Sequence, residues 1–122
     1  MWYSGIVLRG AQDGRTIGFP TINLDPEAIP SETKQGVHAA TVRYQNKIYQ
    51  AALFYGARLV KNETHTILEI HIIDFDKEIY DQTVEFHLDG FIRDNLNFSS
   101  MEQLKIQIEV DVKLIKTLSY KK

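Results

Sequence analysis

Near residue 99 the hydrophobic pattern changes period, and that change divides the chain into a β part and one terminal helix. Upstream, apolar and polar residues alternate in short runs. Residues 37–44 (VHAATVRY) set Val37, Ala39, Thr41 and Arg43 on one face, and 48–55 (IYQAALFY) read as the return strand after a turn at Asn46-Lys47. Residues 3–9 form a short strand and 66–74 (TILEIHIID) the most β-rich run. Residues 83–89 (TVEFHLD) form a strand with Val84, Phe86 and Leu88 inward and Glu85 and His87 outward. Downstream, Met101, Leu104, Ile108, Val112 and Ile115 recur at spacings of three and four, and Ile106, Val110 and Leu114 widen that stripe. Ser99 with Glu102 three residues later makes a capping box. A helix is therefore predicted over 100–118, burying a broad apolar face. Short strands at this spacing, followed by one helix, predict a mainly β fold, a closed barrel or a sandwich, in a single domain spanning 1–122.

Composition removes several classes of function. The 122 residues include no cysteine, so disulfides and thiolate metal sites are excluded. Any metal would have to be held by oxygen or imidazole, and oxygen donors favour a hard ion such as magnesium. The net charge of −2 argues against a nucleic-acid partner, which needs a basic face to neutralise phosphates. The adjacent pair Lys121-Lys122 reads as a solvated tail. No apolar run approaches the ~20 residues of a membrane span. The opening MWYSGIVLRG lacks the basic-then-apolar order of a secretory leader. The expectation is a cytoplasmic monomer with no membrane association.

Residues 10–36 hold all three prolines and four of the seven glycines, which predicts a long loop of a length usually either functional or disordered. Gly10, Gly14 and Gly18 recur every four residues. Such glycines let backbone amides approach an anion, although the spacing fits neither the P-loop nor the dinucleotide fingerprint. If the chain after Pro20 continues as a strand, Thr21 and Asn23 point to one side. A hydroxyl and an amide oxygen so spaced can both face one hydrated magnesium ion; the same residue types also cap turns. Glu69 is the third candidate. Leu68, Ile70 and Ile72 make one face of its strand, and Ile67, Glu69, His71 and Ile73 the other. Either that second face is open to solvent, or the carboxylate is buried against a partner or a wet cleft.

Taken in order, these pieces resemble the riboflavin kinase family. The resemblance rests on Gly14-Arg15-x-x-Gly18-x-Pro20-Thr21-x-Asn23-Leu24, Gly36-Val37, Glu69-x-His71-Ile72, Ile79-Tyr80, and Phe91-Ile92-Arg93 ahead of Asn97-Phe98. It runs from about Gly5 to Asp111. The resemblance implies a six-stranded antiparallel closed barrel with a C-terminal α-helix packed on it. It implies ATP and Mg2+ on one side, riboflavin on the other, and transfer of the γ-phosphate to the 5′-hydroxyl of riboflavin, giving FMN and ADP. By the same resemblance, Thr21 and Asn23 serve the metal and the nucleotide phosphates, and Glu69 is the general base. Gly10, Gly14, Arg15, Gly18 and Pro20 belong to the segment over the nucleotide, and Arg93 closes the flavin side. The chain differs from the family at Ile22, at Asp81, across Gly56–Asn62 and at His38, the last read as a surface change. Two other readings remain at this point: a barrel that binds flavin or nucleotide without turnover, and a nucleic-acid-binding barrel, which the acidic balance disfavours.

Overall fold

The inward residues of each alternating run meet in one barrel core. The computed structural model describes residues 1–9, 21–60, 63–94 and 100–118. Among these residues, six strands and a helix follow in order: β1 (Tyr3–Ile6), β2 (Ile22–Leu24), β3 (Gly36–Tyr44), β4 (Lys47–Val60), β5 (Glu63–Ile72), β6 (Thr83–Arg93) and α1 (Met101–Leu118). All neighbours are antiparallel, in the order β1-β6-β3-β4-β5-β2. The two edge strands nearly close the barrel, where the Leu8 N–H donates to the Asn23 carbonyl at 2.8 Å. Phe86, Leu53, Leu68, Ile70, Val7, Val42 and Val84 are fully buried inside.

The expected strands are present with shifted ends. The β3–β4 turn is Gln45-Asn46, one residue earlier than expected; both have positive φ (49° and 64°), as a two-residue hairpin loop requires. Strand β4 runs on to Val60 and β6 to Arg93, while β5 spans Glu63–Ile72 rather than 66–74. The predicted loop 10–36 contains strand β2 and a 3-10 turn at Pro26–Ala28, whose Glu27 N–H is capped by Asp25 Oδ1 at 2.9 Å. Gly36 has φ +140°, and a Cβ there would stand 2.2 Å from the Arg93 carbonyl oxygen. Glycine is what lets β3 and β6 approach so closely beside the bulge at Val37/His38. His38 is not a surface change: it is buried, with Nε2 2.7 Å from the Lys34 carbonyl oxygen and its ring edge-on to Phe91.

Helix α1 lies on the outside of the barrel. Its buried Ile115, with Val112 and Leu118, packs against Ala39, Ala52, Ile73 and Ile92. Gln50 Nε2 donates to the Ile115 carbonyl at 3.1 Å. Among the described residues Ser100 Oγ accepts from the Gln103 N–H at 3.2 Å; the expected cap, Ser99, lies outside them. One expectation needs correcting here. The buried face is narrower than the apolar stripe. Ile106, Val110 and Leu114 are 57, 53 and 44% exposed. At about 100° per residue, Ile106 falls opposite Ile115, and a helix on a convex barrel touches along one line only.

Candidate active site

Strand pairing assembles the candidate residues. In the β2–β5 ladder Ile22 faces Ile70, Asn23 faces Glu69 and Leu24 faces Leu68. Leu24, Leu68 and Ile70 turn into the core, so the period of two sends Asn23 and Glu69 to the outer surface of the barrel, with Thr21 two residues from Asn23. There the Thr21 hydroxyl donates to Glu69 Oε2 at 3.2 Å. Glu69 is only 8% exposed. Of the two readings left open for its face, solvent-exposed or buried, the buried one holds. A carboxylate so buried needs hydrogen bonds to offset its lost hydration, and Thr21 supplies one. With its proton committed to Glu69, the Thr21 oxygen keeps its lone pairs for a cation. Among the described residues no cluster of three or more His, Asp or Glu could hold a metal by itself.

A cleft of about 270 Å³ opens beside this group. Thr21, Ile22 and Ile70 form one wall, and the segment Phe75–Tyr80 forms the other. That segment returns to β6 through Asp81, whose φ of +67° is the left-handed conformation expected of an aspartate in a position usual for glycine. The Asp81 N–H donates to the Val7 carbonyl at 2.8 Å, and Asp81 Oδ2 accepts from Arg9 at 3.0 Å. The Arg9 guanidinium lies 5.1 Å from the centre of the Tyr80 ring, at the rim of the cleft.

Arg93 sits apart from the group. On β6 it pairs with Val37 of β3, three strands from Glu69 along one row, roughly 14 Å at the usual strand spacing. Its guanidinium is committed to Asp111 of α1: Nε lies 3.1 and 3.2 Å from the two carboxylate oxygens, and a terminal nitrogen 3.0 Å from Oδ2. Gln107 Nε2 adds a bond to Asp111 at 3.1 Å. The fold thus joins Thr21, Asn23 and Glu69 and leaves Arg93 as the clamp on the helix. Gly10, Gly14, Arg15, Gly18 and Pro20 lie outside the described residues. Sequence reasoning missed Asp111. Its signal was available: a carboxylate three residues after Ile108 and four before Ile115, inside the apolar stripe. It also missed Asp76–Tyr80 as a cleft wall, because nothing in that run marks a pocket.

Residues 1–119 match the family model for flavokinase, described as riboflavin kinase. The chain belongs to the riboflavin kinase family. A bifunctional riboflavin kinase/FMN adenylyltransferase of Haemophilus influenzae is 39% identical over 113 residues, covering 92% of this chain and 36% of that protein. The RNA-binding riboflavin kinase RibR of Bacillus subtilis is 29% identical over 113 residues, covering 92% of this chain and 48% of that protein. A riboflavin kinase structure from Trypanosoma brucei shares the fold, with a TM-score of 0.67 over 96% of this chain and 78% of that one at 23% identity. The chain spans about a third of the length of the bifunctional relatives it matches. The riboflavin kinase barrel expected from the sequence, six antiparallel strands with a terminal helix, is the fold observed.

Proposed function

We propose that this chain is a riboflavin kinase domain that moves the γ-phosphate of ATP to the 5′-hydroxyl of riboflavin, releasing FMN and ADP. The observation that carries the reading is the buried Glu69 carboxylate, paired with Asn23 and hydrogen-bonded by Thr21, which itself lines the cleft. In this reading the nucleotide enters the cleft between Thr21 and the Phe75–Tyr80 segment. The riboflavin hydroxyl lies within reach of Glu69. Its oxygen bonds to the γ-phosphorus, the bond to the β,γ-bridging oxygen breaks with its electron pair leaving on ADP, and Glu69 accepts the hydroxyl proton.

The donor set fits magnesium. Thr21 and Asn23 offer neutral, hard oxygens, and a magnesium ion keeps water and substrate phosphates as its other ligands rather than requiring an all-protein cage. When bound, the ion would neutralise charge on the phosphates. The residues of the chain supply position. Thr21 fixes the Glu69 carboxylate, β2 and β5 hold both rigidly, and the cleft wall aligns the nucleotide. Phosphoryl transfer proceeds through a loose transition state, so positioning and charge stabilisation carry most of the rate.

The glycine segment would cover the phosphates with backbone amides, with Pro20 fixing the backbone that leads into Thr21, and residues 1–122 would act as one catalytic unit. The reading includes a cytoplasmic, monomeric protein; none of the described helices is long and apolar enough to cross a membrane. The test is chromatographic detection of FMN from riboflavin, ATP and magnesium. FMN formation that stops on omitting ATP supports the proposal. Riboflavin bound without FMN would favour a binding module instead.

A further inference from the structure

A short cross-piece joins the two sides of the candidate cleft. Val7 is fully buried and lines the cleft. Its N–H donates to the Gln82 carbonyl at 2.9 Å, and its carbonyl accepts from the Asp81 N–H at 2.8 Å. The Leu8 N–H bonds to the opposite side, to the Asn23 carbonyl at 2.8 Å. Residues 7–9 thus tie β2, with its candidate metal residue Asn23, to the turn that ends the Phe75–Tyr80 wall. Arg9 completes that tie through its side chain. Its Nε and one terminal nitrogen lie 3.3 and 3.0 Å from the same oxygen, Asp81 Oδ2. The guanidinium also lies 5.1 Å from the centre of the Tyr80 ring, which lines the cleft. Stability does not account for this pair. The two side chains are 70 and 69% exposed, and an exposed ion pair contributes little to folding. Asp81 moreover holds a left-handed backbone, φ +67°, at a steric cost that glycine does not carry. Such a conformation persists where the position of the side chain matters.

We infer that Arg9 and Asp81 are positioning residues for the nucleotide: a charged clasp that holds Tyr80 against the 7–9 cross-piece and so fixes the width of the cleft mouth. The inference rests on the phosphotransfer reading above and goes beyond it, since neither residue serves the reacting atoms. The clasp acts on binding. With the clasp closed, the wall is already in place when the nucleotide arrives. With it removed, part of the binding energy goes into ordering the wall, and affinity falls. The loss falls on the nucleotide, whose cleft the clasp borders, and not on riboflavin. One exposed ion pair and one cation–π contact together correspond to about a three- to tenfold change in affinity.

The experiment compares Arg9→Met, Arg9→Lys, Asp81→Gly and the double variant Arg9→Met/Asp81→Gly. Calorimetric titration gives Kd for magnesium-ATP and for riboflavin, steady-state assays give kcat and both KM values, and urea unfolding gives the midpoint. Arg9→Met and Asp81→Gly are each expected to weaken magnesium-ATP about three- to tenfold, with riboflavin Kd and kcat within about twofold of wild type. The double variant should lose no more than either single one, because the same contact is removed once. Arg9→Lys should stay within about twofold of wild type, since both guanidinium contacts fall on one oxygen and a point charge can replace them. Asp81→Gly should keep or raise the urea midpoint, because glycine relieves the left-handed backbone; a purely structural pair would lower it. Unchanged ATP affinity in either single variant, an equal loss for riboflavin, additive losses in the double variant, or a lowered midpoint in Asp81→Gly overturns the inference. So does tighter ATP binding by Asp81→Gly, the sign of an Arg9 that touches the nucleotide directly. Should the variants lose ATP affinity as expected while the wild type forms no FMN, the phosphotransfer reading falls and the clasp stands. Should FMN form with the KM for ATP unchanged in the variants, the clasp falls and the phosphotransfer reading stands. No magnesium-ATP binding by the wild type overturns both.

Discussion

Asp111→Ala removes the carboxylate that holds the helix to the barrel. In the wild type that side chain is 4% exposed and that of Arg93 17%. Three guanidinium contacts and one from Gln107 converge on it. The substitution leaves a largely buried cation without its anion, a change that typically costs 3–5 kcal/mol. Because Arg93 keeps some solvent contact and its bond to the Asp94 carbonyl at 3.2 Å, the low end applies, about 3 kcal/mol. That is roughly a hundredfold in the folded-to-unfolded ratio and on the order of 10 °C in Tm for a chain of this size. Urea unfolding followed by far-ultraviolet circular dichroism reads it as a lower midpoint at unchanged slope. The double variant Arg93→Met/Asp111→Leu should recover most of the loss, since it leaves neither charge unpaired. A loss below about 1 kcal/mol for Asp111→Ala, as for an exposed ion pair, would refute the view that this pair anchors α1.

Three further outcomes follow from the same geometry. Gly36→Ala must fit a Cβ 2.2 Å from the Arg93 carbonyl oxygen at φ +140°; it should cost more than about 2 kcal/mol, measurable by the same urea titration. Thr21→Val keeps the volume but removes the donor to Glu69; it should raise the KM for magnesium-ATP and lower stability by about 1 kcal/mol, and an unchanged metal requirement would count against Thr21. The Arg43 guanidinium, hydrogen-bonded to Glu85 at 2.9 Å, holds that carboxyl below its ordinary 4.5. The folded-state value is the depressed one, so the stabilisation is present above 4.5 and is lost as pH falls through the lower folded-state value. The stability difference between wild type and Glu85→Gln should therefore stay constant near neutrality and shrink only in strong acid.

The barrel was legible because alternation is local. Val84, Phe86 and Leu88, or Leu68, Ile70 and Ile72, announce their inward face without any partner being known. Strand β2 was harder to read. Three residues among prolines and glycines carry little propensity, and Ile22–Leu24 is a strand because β5 pairs with it. Glu69 was ambiguous for the same reason. Alternation puts it on the outer face, and outer usually means wet; its burial beside Thr21 depends on residues 48 positions away. The helix pattern was read correctly as a helix and too generously as buried surface, since periodicity does not report how convex the opposing face is.

The central claim is that Glu69 takes the proton of the riboflavin hydroxyl as phosphate is transferred. Glu69→Gln keeps the shape and the contact with Thr21 but cannot serve as the base. Its rate of FMN formation from riboflavin, ATP and magnesium, measured beside riboflavin and ATP affinities, is the direct test. Turnover should fall by about 10²–10⁴ with both substrates still bound. Near-normal FMN formation by Glu69→Gln would contradict the account.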